Sequence, residues 1–333
     1  MNIIDRFRPW IAKIKKLLLK RWFRSALQIS ILALCAIYLI TNFQSIKSAH
    51  VEFHINIYLL VLSCVVTICT VLLGAFGFFL TLKAMSIPIN WIEAINIHLQ
   101  SNLAKYIPGY AWQLIGKAYL TKRTGVSGGL VGLAMTIELV QLLLAGMCVA
   151  LLSLPVDAVV NWRGWNLISS FLPIIRFIFL GIFLLFPFSV SWILNKSKII
   201  KHTVNANPVV LLGAALSMFT SWILFGYSFW LLGTTFFPIS IDQLLMFVFT
   251  LAASILIGLA IVIVPGSIGV RESIMVWFLG PIVGAPQAVI IAALSRVVVT
   301  ISELVSAFAF QVVKRDWNNP KVLDYKDISE KDD

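Results

Sequence analysis

Six long apolar stretches, residues 25–43, 57–82, 127–153, 167–194, 209–232 and 287–312, constrain this chain more than any other feature. A hydrocarbon core of about 30 Å takes roughly 20 apolar residues in a helix to cross, and each stretch supplies that length or close to it. Lipid offers the backbone no hydrogen-bonding partner, so such stretches must satisfy their own N–H and C=O groups as helices. Composition agrees: 60% of the 333 residues are hydrophobic and 12% are charged, against roughly 25% charged in soluble domains. The expected fold is an all-α polytopic membrane protein, which largely excludes secreted, DNA-binding and cytosolic-enzyme classes. The net charge of +12 does not point to nucleic acid, because eight of the 26 basic residues precede the first apolar stretch. Such a distribution sets topology.

Two further apolar regions are interrupted. Residues 91–123 contain Pro108-Gly109, and residues 243–282 contain Pro265-Gly266 and Gly269 followed by Arg271-Glu272. Proline and glycine in mid-run break a helix, and a broken backbone survives in a membrane only where protein or a wet cavity satisfies it. Basic residues favour the cytoplasmic side, which places Arg6 to Arg24, Lys122-Arg123, the Lys196/Lys198/Lys201 loop and Lys314-Arg315 there. These placements agree only if 91–123 is a re-entrant hairpin from inside and 243–282 one from outside. The outer loops 44–56, 154–166, 233–242 and 283–286 then hold only Lys47 and Arg163 as basic residues. The expected architecture is about six spanning helices plus two oppositely oriented re-entrant hairpins, an inverted-topology repeat with halves at 25–153 and 167–312. In transporters such repeats place the substrate at the midplane between discontinuous helices. The alternative is eight continuous crossings with kinks at Pro-Gly, which leaves Lys122-Arg123 outside. Residues 1–24 read as a basic amphipathic arm on the inner leaflet, residues 25–312 as the transmembrane domain and residues 313–333 as a disordered cytoplasmic tail. Both termini are expected in the cytoplasm, on a multi-pass protein of the cytoplasmic membrane.

Cys35, Cys64, Cys69 and Cys148 all lie in apolar stretches, and the four histidines are scattered. Neither a metal nor another cofactor is expected. Chemistry must come from charges that are costly inside a membrane, at about 2.5 to 3.5 kcal/mol each on insertion scales. Lys105 and Lys117 flank the first Pro-Gly. Arg271 and Glu272 follow the second; Glu138 lies in the third stretch, and Arg296 and Glu303 lie seven apart in the last. If the hairpins break at their tips, helices starting near Tyr110 and Val270 direct unpaired N–H groups toward the membrane centre. With Pro108, Gly109, Pro265, Gly266 and Gly269 shaping the tips, Lys105, Lys117, Arg271 and Arg296 make an anion-binding centre suited to a phosphate. Glu138, Glu272 and Glu303 permit proton coupling. The competing reading is that Arg271, Glu272, Arg296 and Glu303 only neutralise one another, as a buried network holding the second hairpin in place. Arg176 is expected to snorkel to the outer interface.

The runs Asn102-Leu-Ala-Lys-Tyr-Ile-Pro-Gly109, Gly116-Lys117 with Arg123-Thr-Gly125-Val-Ser127, and Val264-Pro-Gly-Ser-Ile-Gly-Val-Arg-Glu272 form a set. On these residues the chain resembles the transmembrane region of lysylphosphatidylglycerol synthases, a flippase-like membrane family. Ser267 stands where the second motif of that family often has another glycine. The resemblance, over roughly residues 20–312, implies spanning helices with re-entrant hairpins and movement of aminoacylated or polyprenyl-linked lipids; lysyl transfer is not implied. The expected function is translocation of an anionic lipid, either a polyprenyl-phosphate-linked glycan or a phospholipid. The membrane lipid is the expected partner, with glycan-assembly enzymes a further one. Two alternatives stay open: an integral membrane glycosyl or lipid transferase, and a non-catalytic subunit of a lipid-glycan assembly complex.

Overall fold

The structure, a computed structural model, describes residues 55–106, 112–122, 125–155, 166–197, 205–260 and 269–317. The basic arm, the stretch 25–43, both Pro-Gly tips and the tail from residue 318 lie outside the described residues. The described residues form helices joined by short connections. In chain order these are α1 (Ile57–Ala84), α2 (Trp91–Leu103) with a 3-10 turn (Ala104–Tyr106), and α3 (Trp112–Lys122). They continue with α4 (Gly128–Ser153), α5 (Asn166–Lys196), α6 (Pro208–Phe236), and α7 (Leu244–Ala260) behind a 3-10 turn (Ile241–Gln243). The last two are α8 (Val270–Val283) and α9 (Ala285–Trp317).

Six of these are long and apolar enough to cross a membrane: Ile57–Ala84, Gly128–Ser153, Phe171–Lys196, Pro208–Phe236, Ile241–Ala260 and Ala285–Lys314. Five of them coincide with expected spans. The sixth is the first leg of the second interrupted region, where the 3-10 turn capped by Ser240 runs directly into α7 and extends it to twenty residues. The other interrupted legs are shorter: α2, α3 and α8 have 13, 11 and 14 residues, or roughly 16 to 21 Å at 1.5 Å per residue. Each interrupted region folds on itself, α2 packing against α3 and α7 against α8. Large apolar side chains face outward along the spans, among them Phe177, Leu185 and Phe308, as expected where the surrounding solvent is lipid.

The most extensive contact is between α1 and α6. Asn56 caps α1 by accepting from the N–H groups of Tyr58 and Leu59, and Asn207 caps α6 in the same way through Val209 and Val210. Each asparagine also donates its own N–H to the last turn of the other helix, Asn56 to Thr235 O at 3.1 Å and Asn207 to Ala84 O at 2.9 Å. Between these ends the antiparallel register recurs every seven residues. Ser63 donates to Ser228 O, Ser221 donates to Thr70 O, and Gly77 lies over Ala214 O. Hydroxyls thus hydrogen-bond backbone carbonyls along a seam with few large side chains, a favourable way for helices to associate in lipid.

Glycine sets other close approaches. A Cβ at Gly226 of α6 would lie 2.6 Å from Val248 Cα of α7, so only glycine permits that backbone contact. Gly146 of α4 makes room for the Trp222 ring, whose Nε1 donates to Leu142 O at 3.1 Å. Arg176 of α5 donates to the carbonyls of Leu151 and Leu154 at the C-terminal end of α4. Those carbonyls have no intrahelical donor and lie at the negative end of the helix dipole.

Candidate functional site

Four helices converge on Lys117. This residue lies on α3, is 5% exposed, and donates to both carboxylate oxygens of Glu138 on α4 at 2.7 and 2.8 Å. Its Nζ also lies 2.9 Å from Nδ1 of His98 on α2 and 4.3 Å from the centroid of the Phe78 ring on α1. His98 Nδ1 is in turn 3.2 Å from Glu138 Oε1. An ammonium desolvated this far requires an anionic partner, and Glu138 supplies it; the ring face of Phe78 adds a cation–π contact. One turn along α4, Gln141 accepts from Thr81 of α1 at 3.2 Å and donates to Leu211 O of α6 at 3.0 Å, anchoring this helix face.

Several other charges in the bundle form ion pairs. Lys105, in the turn after α2, binds Glu303 of α9. Toward the other end of the same contact, Lys314 of α9 binds both oxygens of Glu93 at the start of α2, at 2.8 and 2.7 Å. Between the two pairs Gln100 donates to Ala307 O at 3.1 Å. The antiparallel contact of α2 with α9 thus carries polar pairs at both ends and in the middle, beside an apolar cluster of Ile95, Leu99 and Leu103 with Ala307 and Phe310. At the start of α8, Glu272 accepts from the Gly269 N–H at 2.7 Å and also binds Arg296 of α9. Gly269 has φ +85°, a left-handed conformation that favours glycine. Arg271 is buried, with its guanidinium 5.7 Å from the Phe225 ring centroid. Near the first tip, Gln113 donates to Asn102 at 2.5 Å.

Lys105, Lys117, Arg271, Arg296, Glu138, Glu272 and Glu303 thus all have described positions in the bundle. Pro108, Gly109, Pro265 and Gly266 lie outside the described residues. Two groupings could not be read from spacing. Arg296 and Glu303 share one stripe of α9 but bind different elements, and Lys117 meets a carboxylate 21 positions away on another helix. His98, one of four histidines scattered in the sequence, joins this cluster, and the sequence signal for it is its place in an apolar stretch seven residues before Lys105. Among the described residues no group of three or more His, Cys, Asp and Glu side chains is placed to hold a metal ion.

No curated protein and no solved structure matches the chain. Residues 25–306 do match a family, described as the lysylphosphatidylglycerol synthase TM region, and that match spans most of the chain. The protein therefore belongs to that family of membrane-embedded, flippase-like lipid-handling proteins, represented here by its transmembrane region.

Proposed function

We propose that this protein translocates an anionic lipid, a phospholipid or a polyprenyl-phosphate-linked glycan, across the cytoplasmic membrane by rocking its two halves around an interior cationic site. The observation that carries the reading is the placement of charge between the halves. Lys105 binds Glu303 and Glu93 binds Lys314 across the contact of α2 with α9, which otherwise packs Ile95 and Leu99 against Ala307. The corresponding contact of α4 with α7 is apolar, with Ala145, Cys148 and Val149 clustering with Val248 and Ala252. A buried ammonium cannot simply lose its carboxylate, but a phosphate can take that carboxylate's place, since both accept charge-assisted hydrogen bonds. Exchange at Lys105 and Arg296, with Lys117 and Arg271 as further cations of the site, lets a headgroup enter without stranding a cation. Pro108, Gly109, Pro265, Gly266 and Gly269 give the backbone freedom at the two tips, and Glu138, Glu272 and Glu303 are the groups available for coupling.

The reading of two inverted halves is supported by packing that matches pair by pair. Aligning α1, α2, α3 and α4 with α6, α7, α8 and α9, each contact has a counterpart. The contacts α1 with α2, α2 with α3 and α3 with α4 correspond to α6 with α7, α7 with α8 and α8 with α9. Likewise α1 with α9 corresponds to α6 with α4, and α2 with α9 to α7 with α4. The asparagine caps 151 positions apart make the same exchange in both directions. Opposite insertion of the halves makes α2–α3 a hairpin from the cytoplasm and α7–α8 one from outside, with both termini cytoplasmic.

The test is headgroup accessibility in proteoliposomes carrying labelled lipids. Wild-type protein is expected to move one lipid class, and Lys105→Ala and Arg271→Ala to lose that movement while inserting normally. Normal movement by both variants would exclude the cationic site. Absence of movement by the wild type would turn attention to a partner subunit or a transferase.

A further inference from the structure

His98 lies against both members of the Lys117–Glu138 ion pair, and its Nδ1 faces a choice. On one side Lys117 Nζ, a donor only, is 2.9 Å away; on the other Glu138 Oε1, an acceptor only, is 3.2 Å away. A neutral ring with a lone pair on Nδ1 accepts from Lys117. A cationic ring, with N–H on both nitrogens, must donate from Nδ1 to Glu138 and repel Lys117. The neutral ring takes either partner according to its tautomer, so Lys117 is held by the ring only while the ring is neutral.

The charges facing the ring come from every element around it. They are Lys117 on α3, Glu138 on α4 and Glu303 on α9, which is itself bound to Lys105 and whose carboxylate acts electrostatically on the ring. From α1 the ring meets the uncharged Phe78, with centroids 5.7 Å apart. On α2 itself Glu93 is bound to Lys314. With a neutral imidazole the two ion pairs Lys117–Glu138 and Lys105–Glu303 are each neutral, one ammonium against one carboxylate. Any monoanionic headgroup that binds Lys105 in place of Glu303 leaves the interior with one negative charge too many. Protonation of His98 restores the balance, and His98 is the one histidine among the described residues, the side chain whose ordinary titration falls near neutral pH.

We propose that His98 is a proton-binding site, filled from water when an anionic headgroup enters, so that the protein carries one proton with each phosphate it binds. This inference rests on the anionic-lipid reading above and supplies its coupling ion. Linkage fixes the sign. If the headgroup-bound state holds one more proton on His98, affinity rises as pH falls, by up to about tenfold per pH unit, and levels off once the free ring is already protonated.

The experiment measures binding and proton exchange together, by titrating purified full-length protein in detergent in two buffers of different ionisation enthalpy. The probes are short-chain phosphatidylglycerol and a short polyprenyl-phosphate sugar. Both are phosphodiesters with no ionisation of their own between about pH 5.5 and 8. For at least one probe, wild-type protein is expected to take up approximately one proton per headgroup near pH 8 and to bind more tightly toward pH 6. His98→Gln, which keeps an amide in place of the ring, is expected to bind with no proton uptake and no pH dependence. Flat affinity without proton exchange in the wild type would overturn the proton site and leave the headgroup site standing. Full proton uptake by His98→Gln would overturn the assignment to His98. Failure of both probes to bind at any pH would remove the headgroup site and this inference together.

Discussion

Lys117 places an ammonium where the bundle is nearly closed to solvent, and Glu138 binds it with both oxygens. Removing one partner is therefore far worse than removing both. Glu138→Ala is expected to cost about 3–5 kcal/mol, because a buried cation is left without its anion, whereas Lys117→Met combined with Glu138→Met should cost much less. Thermal unfolding in detergent, run on the single and double variants, checks both. A double variant as unstable as the single would show that packing, not charge, holds the three helices together. At this scale the sequence was only partly informative. The rarity of charge in an apolar chain singled out Lys105, Lys117, Glu138, Glu272, Arg296 and Glu303, but the partner of each depends on how helices far apart in sequence come to lie. Lys105 and Glu303 are 198 positions apart, a separation over which no periodic pattern persists.

Elements were more legible than pairings. The stretches 57–82, 127–153 and 209–232 became Ile57–Ala84, Gly128–Ser153 and Pro208–Phe236, because an apolar run in lipid ends where polar and capping residues begin. Asn56 and Asn207 stand immediately before such runs and could have been recognised as caps; that they also join the two helices to each other could not. Close backbone approach was likewise hidden, since a glycine in an apolar helix looks the same whether or not another helix crosses it. Gly226 is the critical case. A Cβ there would meet the backbone of Val248 at 2.6 Å, and backbone cannot turn aside as a side chain can. Gly226→Ala is expected to lose about 1–3 kcal/mol through overpacking between α6 and α7. Gly132→Ala on α4, where a Cβ meets nothing within 4 Å, should be neutral or slightly stabilising because alanine favours the helix. Equal melting temperatures for the two variants would contradict the closeness of that crossing.

For the molecule as a whole, topology separates the hairpin arrangement from eight continuous crossings. Lys122 and Lys196 are both exposed, and the inverted arrangement puts them on the same, cytoplasmic side. After replacement of Cys35, Cys64, Cys69 and Cys148 by alanine, Lys122→Cys and Lys196→Cys are expected to react with an impermeant maleimide in inside-out vesicles and not in intact cells. Two spans, α4 and α5, separate the two positions in either arrangement, so labelling of both in intact cells would make α2–α3 a crossing. Basic residues near helix ends carried this reading, and helix length alone does not replace them. The Ile241–Ala260 segment is long enough to span while its partner α8 is short.

The seven-residue register between α1 and α6 also limits how these two helices can vary over evolutionary time. One residue inserted in the middle of either helix rotates everything beyond it by about 100°, taking half of the hydroxyl contacts and one reciprocal asparagine bond out of register at once. Insertions in the connecting segments disturb none of them. Homologous chains are therefore free to differ in loop length while the distance from Asn56 to Ala84 and from Asn207 to Thr235 stays fixed, or changes in both helices together by whole heptads.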